Sequence, residues 1–146
     1  MIKHLILVSS LISSCIFAAD NRLDNISELK LLIGDIEVAG SSNGRLVFAE
    51  FPGFIILRDT IIEITNNPSN NIDKKTPLFT MEISLSDSTS TSLTVEFGQT
   101  WMKIDDKEYV INSHQSKKIF KVLSFRLSKN QIKKLFAMSQ SSIQVK

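Results

Sequence analysis

From Ile36 onward, apolar and polar residues alternate with a period of two, and turn-forming residues separate the runs. This pattern is typical of half-buried β-strands rather than of amphipathic helices. Residues 79–85 and 93–97 each place their apolar side chains on one face. The polar segment Asp87 to Ser92 lies between them, so a hairpin is predicted here.

A second hairpin is predicted over residues 101–112, with Asp105-Asp106-Lys107 as its tight turn. Met102 and Ile104 share one face of its first strand, whereas Trp101 lies on the opposite face. We therefore expect one of the two large side chains, Trp101 or Met102, to be exposed.

Upstream, residues 34–51 are predicted as a strand pair around a loop at residues 40–44, whose Asn-Gly end suits a positive φ angle. Residues 52–65 begin with a Pro-Gly turn and continue with two more apolar segments in the same pattern. The polar segment 66–77 is predicted as a surface loop.

The strongest helix signal lies near the C-terminus. Ser128 and Gln131 fit a capping box, and Leu127 and Ile132 fit a hydrophobic staple. A helix is therefore predicted from Lys129 to about residue 138. The apolar stripe that we expect to pack on the sheet consists of Ile132, Leu135, Phe136 and Met138.

The predicted fold is α+β or mainly β, an antiparallel sheet or sandwich with one C-terminal helix packed on it. A last short strand is predicted at residues 142–145. The segment 21–33 fits two structures, since Asn25 with Glu28 could cap a short helix whereas the apolar residues that follow could open a strand.

The first 19 residues have the features of a secretory signal peptide. Lys3 supplies a positive charge, an apolar stretch follows, and Ala18 and Ala19 lie directly before the polar Asp20. A membrane-spanning helix needs about 20 apolar residues, whereas this stretch is shorter and is interrupted by serines. We therefore predict an exported protein, periplasmic or secreted, with no spanning helix after removal of the leader.

Cys15 gives the leader a second interpretation. The stretch from Ile12 to Cys15 resembles the bacterial lipoprotein lipobox, in which a hydrophobic residue and two small ones precede a cysteine that becomes acylated and N-terminal. It departs from that pattern in having Ser14 before the cysteine and apolar residues after it. We expect ordinary cleavage, with a mature chain starting at Ala19 or Asp20. A membrane-anchored lipoprotein with Cys15 as its lipidation site is the alternative.

Length and cysteine content limit how the mature chain is stabilised. A chain of 146 residues with 42% hydrophobic content supports one packed core, so residues 20–146 are predicted to form a single β-rich domain. No cysteine remains once the leader is removed, and no intramolecular disulfide can form. The fold must therefore depend on packing.

Four sequence signatures of catalysis and of cofactor binding are absent: HExxH, CxxC, GxxxxGK[ST] and GxGxxG do not occur. His114 is the single histidine outside the leader, which excludes a multi-histidine metal site, and it is predicted as a solvated residue of a polar loop. Asp105, Asp106 and Glu108 lack the spacing of a calcium loop, and a turn explains the aspartates. We therefore predict no catalytic, cofactor-binding or metal-binding residue.

Charge is distributed unevenly along the chain. Residues 20–102 carry six Lys or Arg against twelve Asp or Glu, whereas residues 103–146 carry ten against three. If both parts interleave in one domain, these charges neutralise each other. The alternative is a basic face suited to anionic lipid headgroups, acidic glycans or an acidic protein. Its predicted members are Lys117, Lys118, Lys121, Arg126, Lys129, Lys133 and Lys134.

The sequence thus predicts a small non-enzymatic binding or envelope-associated protein whose partner is an envelope or host protein, or an anionic lipid or glycan surface. Nucleic acid is the least favoured partner, because an exported protein seldom meets it and no recognition motif is present. One alternative is a subunit of an envelope assembly, joined through a strand edge and lipid-anchored through Cys15. The other is a small hydrolase whose site is assembled by folding from scattered residues.

Overall fold

The structure is a computed structural model, and it describes residues 21–70, 76–86 and 91–141. The leader with Cys15, most of the predicted turn after residue 86 and the predicted strand at residues 142–145 lie outside the described residues. The predictions of export and of lipidation therefore stay predictions.

The described residues form seven β-strands and three α-helices, and a short 3₁₀ helix, Asn21–Asn25, precedes the first strand. The strands are β1 (Ile26–Leu32), β2 (Arg45–Phe48), β3 (Pro68–Ser69), β4 (Phe79–Leu85), β5 (Ser92–Phe97), β6 (Trp101–Ile104) and β7 (Lys107–Val110). The helices are α1 (Gly53–Ile64), α2 (Ser113–Leu123) and α3 (Lys129–Ser141).

All seven strands pair antiparallel in one sheet with the order β2-β1-β4-β5-β6-β7-β3. Alternate residues of the long strands are buried, as in β4, where Phe79, Met81, Ile83 and Leu85 point into the core. Buried residues of the strands and of all three helices form one hydrophobic cluster. The helices therefore cover one face of the sheet and leave the other to solvent. The fold is α+β, an antiparallel sheet with C-terminal helices packed on it, as predicted.

The two predicted C-terminal hairpins are present as β4–β5 and β6–β7. Asp105 has a φ angle of 52° in the second turn, a conformation that aspartate tolerates better than most residues. The expectation that either Trp101 or Met102 is exposed was wrong, because both are buried. The Trp101 indole lies over Gly98, at a place where any Cβ atom would clash with the ring. Because Gly98 has no side chain, the Trp101 ring can lie against it and is buried even on the solvent-facing side of the sheet.

The first predicted strand pair is displaced. β2 lies within the predicted region, but its partner is β1, and residues 36–39 belong to the loop between them. The backbone N–H groups of Ile33 and Gly34 donate to the Gly44 carbonyl and close this loop. The segment 21–33, which fitted either helix or strand, begins with the short 3₁₀ helix and continues as the strand β1, in which Leu29 and Leu31 bury completely on one face.

The two apolar segments predicted after the Pro-Gly turn are one helix, α1, so this prediction was wrong. Leu57, Ile61 and Ile64 are buried at the i, i+4, i+7 spacing of a helix face. Isoleucines also occupy positions 55, 56 and 62 of this segment, and they favour a strand by intrinsic propensity. Packing of the Leu57 face on the sheet overrides that propensity.

The prediction of one C-terminal helix was incomplete, because α2 precedes α3. The start of α3 is as predicted: the Ser128 N–H donates to Gln131 Oε1 at 2.7 Å, and the Gln131 N–H donates to Ser128 Oγ at 3.3 Å. Leu135 is fully buried in the predicted stripe. The Phe136 ring stacks 6.3 Å from that of Phe79, which fixes α3 on β4.

Candidate functional site

Helix α2 carries the first residues of the predicted basic face, and a capping box sets where it begins. The Asn112 side chain accepts from the Gln115 N–H at 2.9 Å, and Gln115 Oε1 accepts from the Asn112 N–H at 3.0 Å. His114 therefore lies in the first turn of a helix rather than in a loop, and it is exposed. The sequence signal was available, since an Asn followed three residues later by Gln is a helix-start pattern.

One lysine of the predicted face binds a carboxylate of the fold itself. Lys118 Nζ donates to Glu63 Oε2 at 3.1 Å, and Gln115 Nε2 donates to Glu63 Oε1 at 3.1 Å. These hydrogen bonds, with Lys118 the larger cause and Gln115 the next, lower the pKa of Glu63 below its ordinary value. Lys118 thus connects the start of α2 to the end of α1.

Arg126 also serves the fold. Its Nη1 atom donates to the Val47 carbonyl at 3.4 Å, and its Nη2 atom donates to the Ala39 carbonyl at 3.2 Å. Val47 lies in β2, the outermost strand on this side of the sheet. The guanidinium therefore covers part of the strand edge and holds the loop before β2 against it.

Lys134 lies beside acidic residues. It lines an open hollow with Asp35 and Glu37, and Gln131 of the same helix donates from Nε2 to the Glu37 carbonyl at 2.7 Å. Lys134 therefore shares this hollow with two acidic residues from the loop between β1 and β2.

Of the five lysines of the predicted face that form no ion pair within the described part of the chain, four lie outside the hollow that Asp35 and Glu37 line. They are exposed, and we call them the basic surface: Lys117 and Lys121 of α2, and Lys129 and Lys133 of α3. In each helix the two lysines are one turn apart and lie on the same side. The Phe120 and Phe136 rings meet edge to face at 5.8 Å and hold the two helices next to each other.

The charge asymmetry of the sequence is retained in space. Residues 113–141 carry seven Lys or Arg and no Asp or Glu. The other described residues carry six Lys or Arg against twelve Asp or Glu. Since α2 and α3 lie together on one face of the sheet, the positive charge is concentrated in part of the helical layer.

The solvent face of the sheet has a different electrostatic character, because opposite charges alternate across its strands. Arg45 binds Glu82 with two hydrogen bonds of 2.8 and 2.9 Å, from Nε and Nη2. This contact lowers the pKa of Glu82 and raises the pKa of Arg45. Lys103 lies opposite Glu96 on one neighbouring strand and opposite Glu108 on the other. Charges on this face therefore neutralise each other within the fold.

Acidic residues of the described part of the chain show no grouping for a metal ion. Nowhere in that part do three His, Cys, Asp or Glu side chains come together as a metal site would require. Asp105 forms a salt bridge of 3.1 Å with Arg22, which fits the structural role that the turn predicts for it. Also within the described ranges, no helix has both the length and the apolar character that crossing a bilayer requires.

The chain was compared with protein-family models, with curated proteins and with solved structures, and none of the three comparisons gave a match.

Proposed function

We propose that the protein is a small exported, non-enzymatic binding protein that contacts an anionic partner through the basic surface. The observation that carries the proposal is the segregation of charge: seven Lys or Arg and no Asp or Glu lie in residues 113–141. Of these, Lys118 and Arg126 have clear partners in the fold. The four lysines of the basic surface have none within the described residues.

The position of these lysines opposes the stability of the helices, which supports a role in binding. Like charges one turn apart, as in Lys117 with Lys121 and Lys129 with Lys133, destabilise a helix by about 0.2–0.5 kcal/mol per pair. Lys129 is also the first residue of α3, where the helix dipole disfavours a cation. Charges that cost the fold free energy and gain no internal partner are expected where an external anion binds them.

The edges of the sheet weigh against the alternative of an assembly built by strand pairing. Ser42 and Arg45 bond each other through their backbones beside β2, and Arg126 covers the Val47 carbonyl. The strand at the other side, β3, has two residues, one of which is Pro68 without an N–H group. Little free edge is left on either side of the described sheet.

The salt concentration at which the protein elutes from an anionic resin tests the proposal. The wild type should be retained at low salt on a resin carrying a sulfated polysaccharide and released as salt screens the interaction. Lys129→Gln/Lys133→Gln should elute at clearly lower salt. The matched control, Lys103→Gln/Lys107→Gln, removes the same charge from the β6–β7 hairpin and should elute close to the wild type. Equal shifts for both double variants would mean that net charge, and not the basic surface, causes binding.

A further inference from the structure

Two aromatic side chains are exposed together at one end of the helical layer. Phe51, before α1, is 81% exposed, and Phe125, after α2, is 46% exposed. Both line an open hollow of about 550 Å³, together with Glu50 and Arg126. A phenylalanine side chain has no atom that hydrogen-bonds to water, so its exposure is unfavourable. Exposure of two such rings at one place is typical of an interaction site.

Phe125 of this aromatic pair lies in the connection between α2 and α3, the two helices that carry the basic surface. Gly53, at the start of α1, lies against Val122 and Phe125 at the end of α2, whereas Glu63 at the end of α1 bonds residues at the start of α2. The two helices are therefore antiparallel neighbours. Phe125 follows Lys121 by four residues and precedes Lys129 by four residues.

An anionic polymer would pair with the charges of the lysines but would not remove the phenylalanine rings from water. The interface of an anionic bilayer satisfies both, because its phosphate groups lie directly above hydrocarbon, and surface-bound proteins place basic and bulky apolar side chains there together. We propose that this end of the helical layer docks on membranes containing anionic phospholipid. Phe51 and Phe125 enter the interface, and Lys121 and Lys129 contact the headgroup phosphates. The proposal rests on the proposed function and specifies its partner.

Glu50, an acidic residue, lines the same hollow. Removal of its negative charge should therefore change vesicle binding in the opposite direction to removal of a lysine. The Glu50 carboxylate is exposed beside Phe51 and would approach the phosphates when the aromatic side chain enters the interface. Glu50→Gln is therefore expected to strengthen binding to anionic vesicles. Removal of the neighbouring positive charge, in Lys121→Gln/Lys129→Gln, is expected to weaken it.

The test is co-sedimentation with vesicles made of equal parts phosphatidylglycerol and phosphatidylcholine. All proteins carry Cys15→Ser and are purified after export, so that neither acyl chains nor the leader contributes. Phe51→Ser/Phe125→Ser should lower vesicle affinity about tenfold or more while leaving retention on the sulfated polysaccharide unchanged. Val110→Ser is the control, because Val110 is an exposed apolar residue of the sheet, 48% accessible, and should have no effect.

A gain of signal checks the same contact without removing a side chain. Trp101 is buried, so its emission should change little on binding. Phe51→Trp should add a component that shifts to shorter wavelength with anionic vesicles and is quenched by brominated lipid, whereas Val110→Trp should not respond.

The outcomes separate the two proposals. Wild-type vesicle affinity in the double phenylalanine variant, together with an unresponsive Phe51→Trp, would overturn membrane docking and leave the basic surface as a site for other anions. Binding to the polysaccharide but not to vesicles would do the same. Failure to bind either at low salt would overturn both.

Discussion

Single side chains decide where the last two helices begin. Ser128 and Asn112 each occupy an N-cap, and in both cases a glutamine three residues later completes the capping box. Ser128→Ala should lower the free energy of unfolding by about 1 kcal/mol, because the Gln131 N–H loses its acceptor. Chemical denaturation measures this, with Ser113→Ala as the control, since the exposed Ser113 hydroxyl caps nothing. Overlapping curves for Ser128→Ala and the wild type would show that the cap adds no stability.

Glu63 makes stability depend on pH. Hydrogen bonds from Lys118 and Gln115 lower its pKa in the folded state, so the contact stabilises the fold above the ordinary carboxyl pKa of about 4.3 and is lost as pH falls through the lowered value. At neutral pH, Glu63→Gln should cost no more than about 1 kcal/mol, because the pair is partly exposed.

The measurement is chemical denaturation at a series of pH values from neutral to acidic. Wild-type stability should decline with acidification, and Glu63→Gln should decline less steeply. Glu50→Gln is the control, because the exposed Glu50 side chain makes no ion pair with the described residues. An acid slope as steep in Glu63→Gln as in the wild type would contradict this role of the carboxylate.

Helices and strands could be predicted where the pattern of apolar and polar residues fits a single type of element. They could not be predicted where the pattern fits more than one type. β4 and β5 alternate without interruption, and α3 has its capping box before a clear stripe, so both were predictable. α1 is apolar at most positions and rich in isoleucine, so its period is hidden. α2 begins with polar residues that resemble a loop. The sequence signal of a helix at this place was its Asn-x-x-Gln start, which forms a capping box.

Helix α1 can be tested against a strand by two substitutions. Ile55 and Leu57 would share one face of a strand and lose similar stability when truncated. In the helix they lie on different sides: Ile55 is 37% exposed and Leu57 is fully buried. Leu57→Ala should therefore lower the free energy of unfolding by about 2–5 kcal/mol, and Ile55→Ala by less than about 1 kcal/mol. Equal losses in chemical denaturation would contradict the helix.

At the scale of the whole molecule, the fold keeps apart two charge distributions that the sequence shows only as uneven halves. On the sheet, register places Lys103 between Glu96 and Glu108, so the charges neutralise each other. Helices α2 and α3 carry no carboxylate of their own, and within the described ranges Lys118 is the one lysine of these helices that pairs with a carboxylate, Glu63 of α1. Which lysines find a partner depends on the packing of helices that are distant in sequence, so the seven predicted basic residues could be identified as a group but not divided into bound and unbound ones.

The stability of the charge variants follows from the same placement. Lys129→Gln/Lys133→Gln relieves a like-charge pair and removes a cation from the start of α3, so its free energy of unfolding should equal or exceed that of the wild type by a few tenths of a kcal/mol. Denaturation curves of this variant and of the control Lys103→Gln/Lys107→Gln check this. A marked loss of stability in Lys129→Gln/Lys133→Gln would show that these lysines serve the fold.

If the protein meets its anionic partner through the basic surface, binding should shield the lysines of that surface from chemical modification, which lysine footprinting measures. The protein is acetylated by a pulse of reagent, free and bound to the sulfated polysaccharide at low salt, and each lysine is quantified by mass spectrometry. Binding should protect Lys117, Lys121, Lys129 and Lys133 and leave Lys103 and Lys107 as reactive as in the free protein. Equal protection at Lys103 and Lys107, or unchanged reactivity at the four lysines of α2 and α3 in the bound state, would contradict the account.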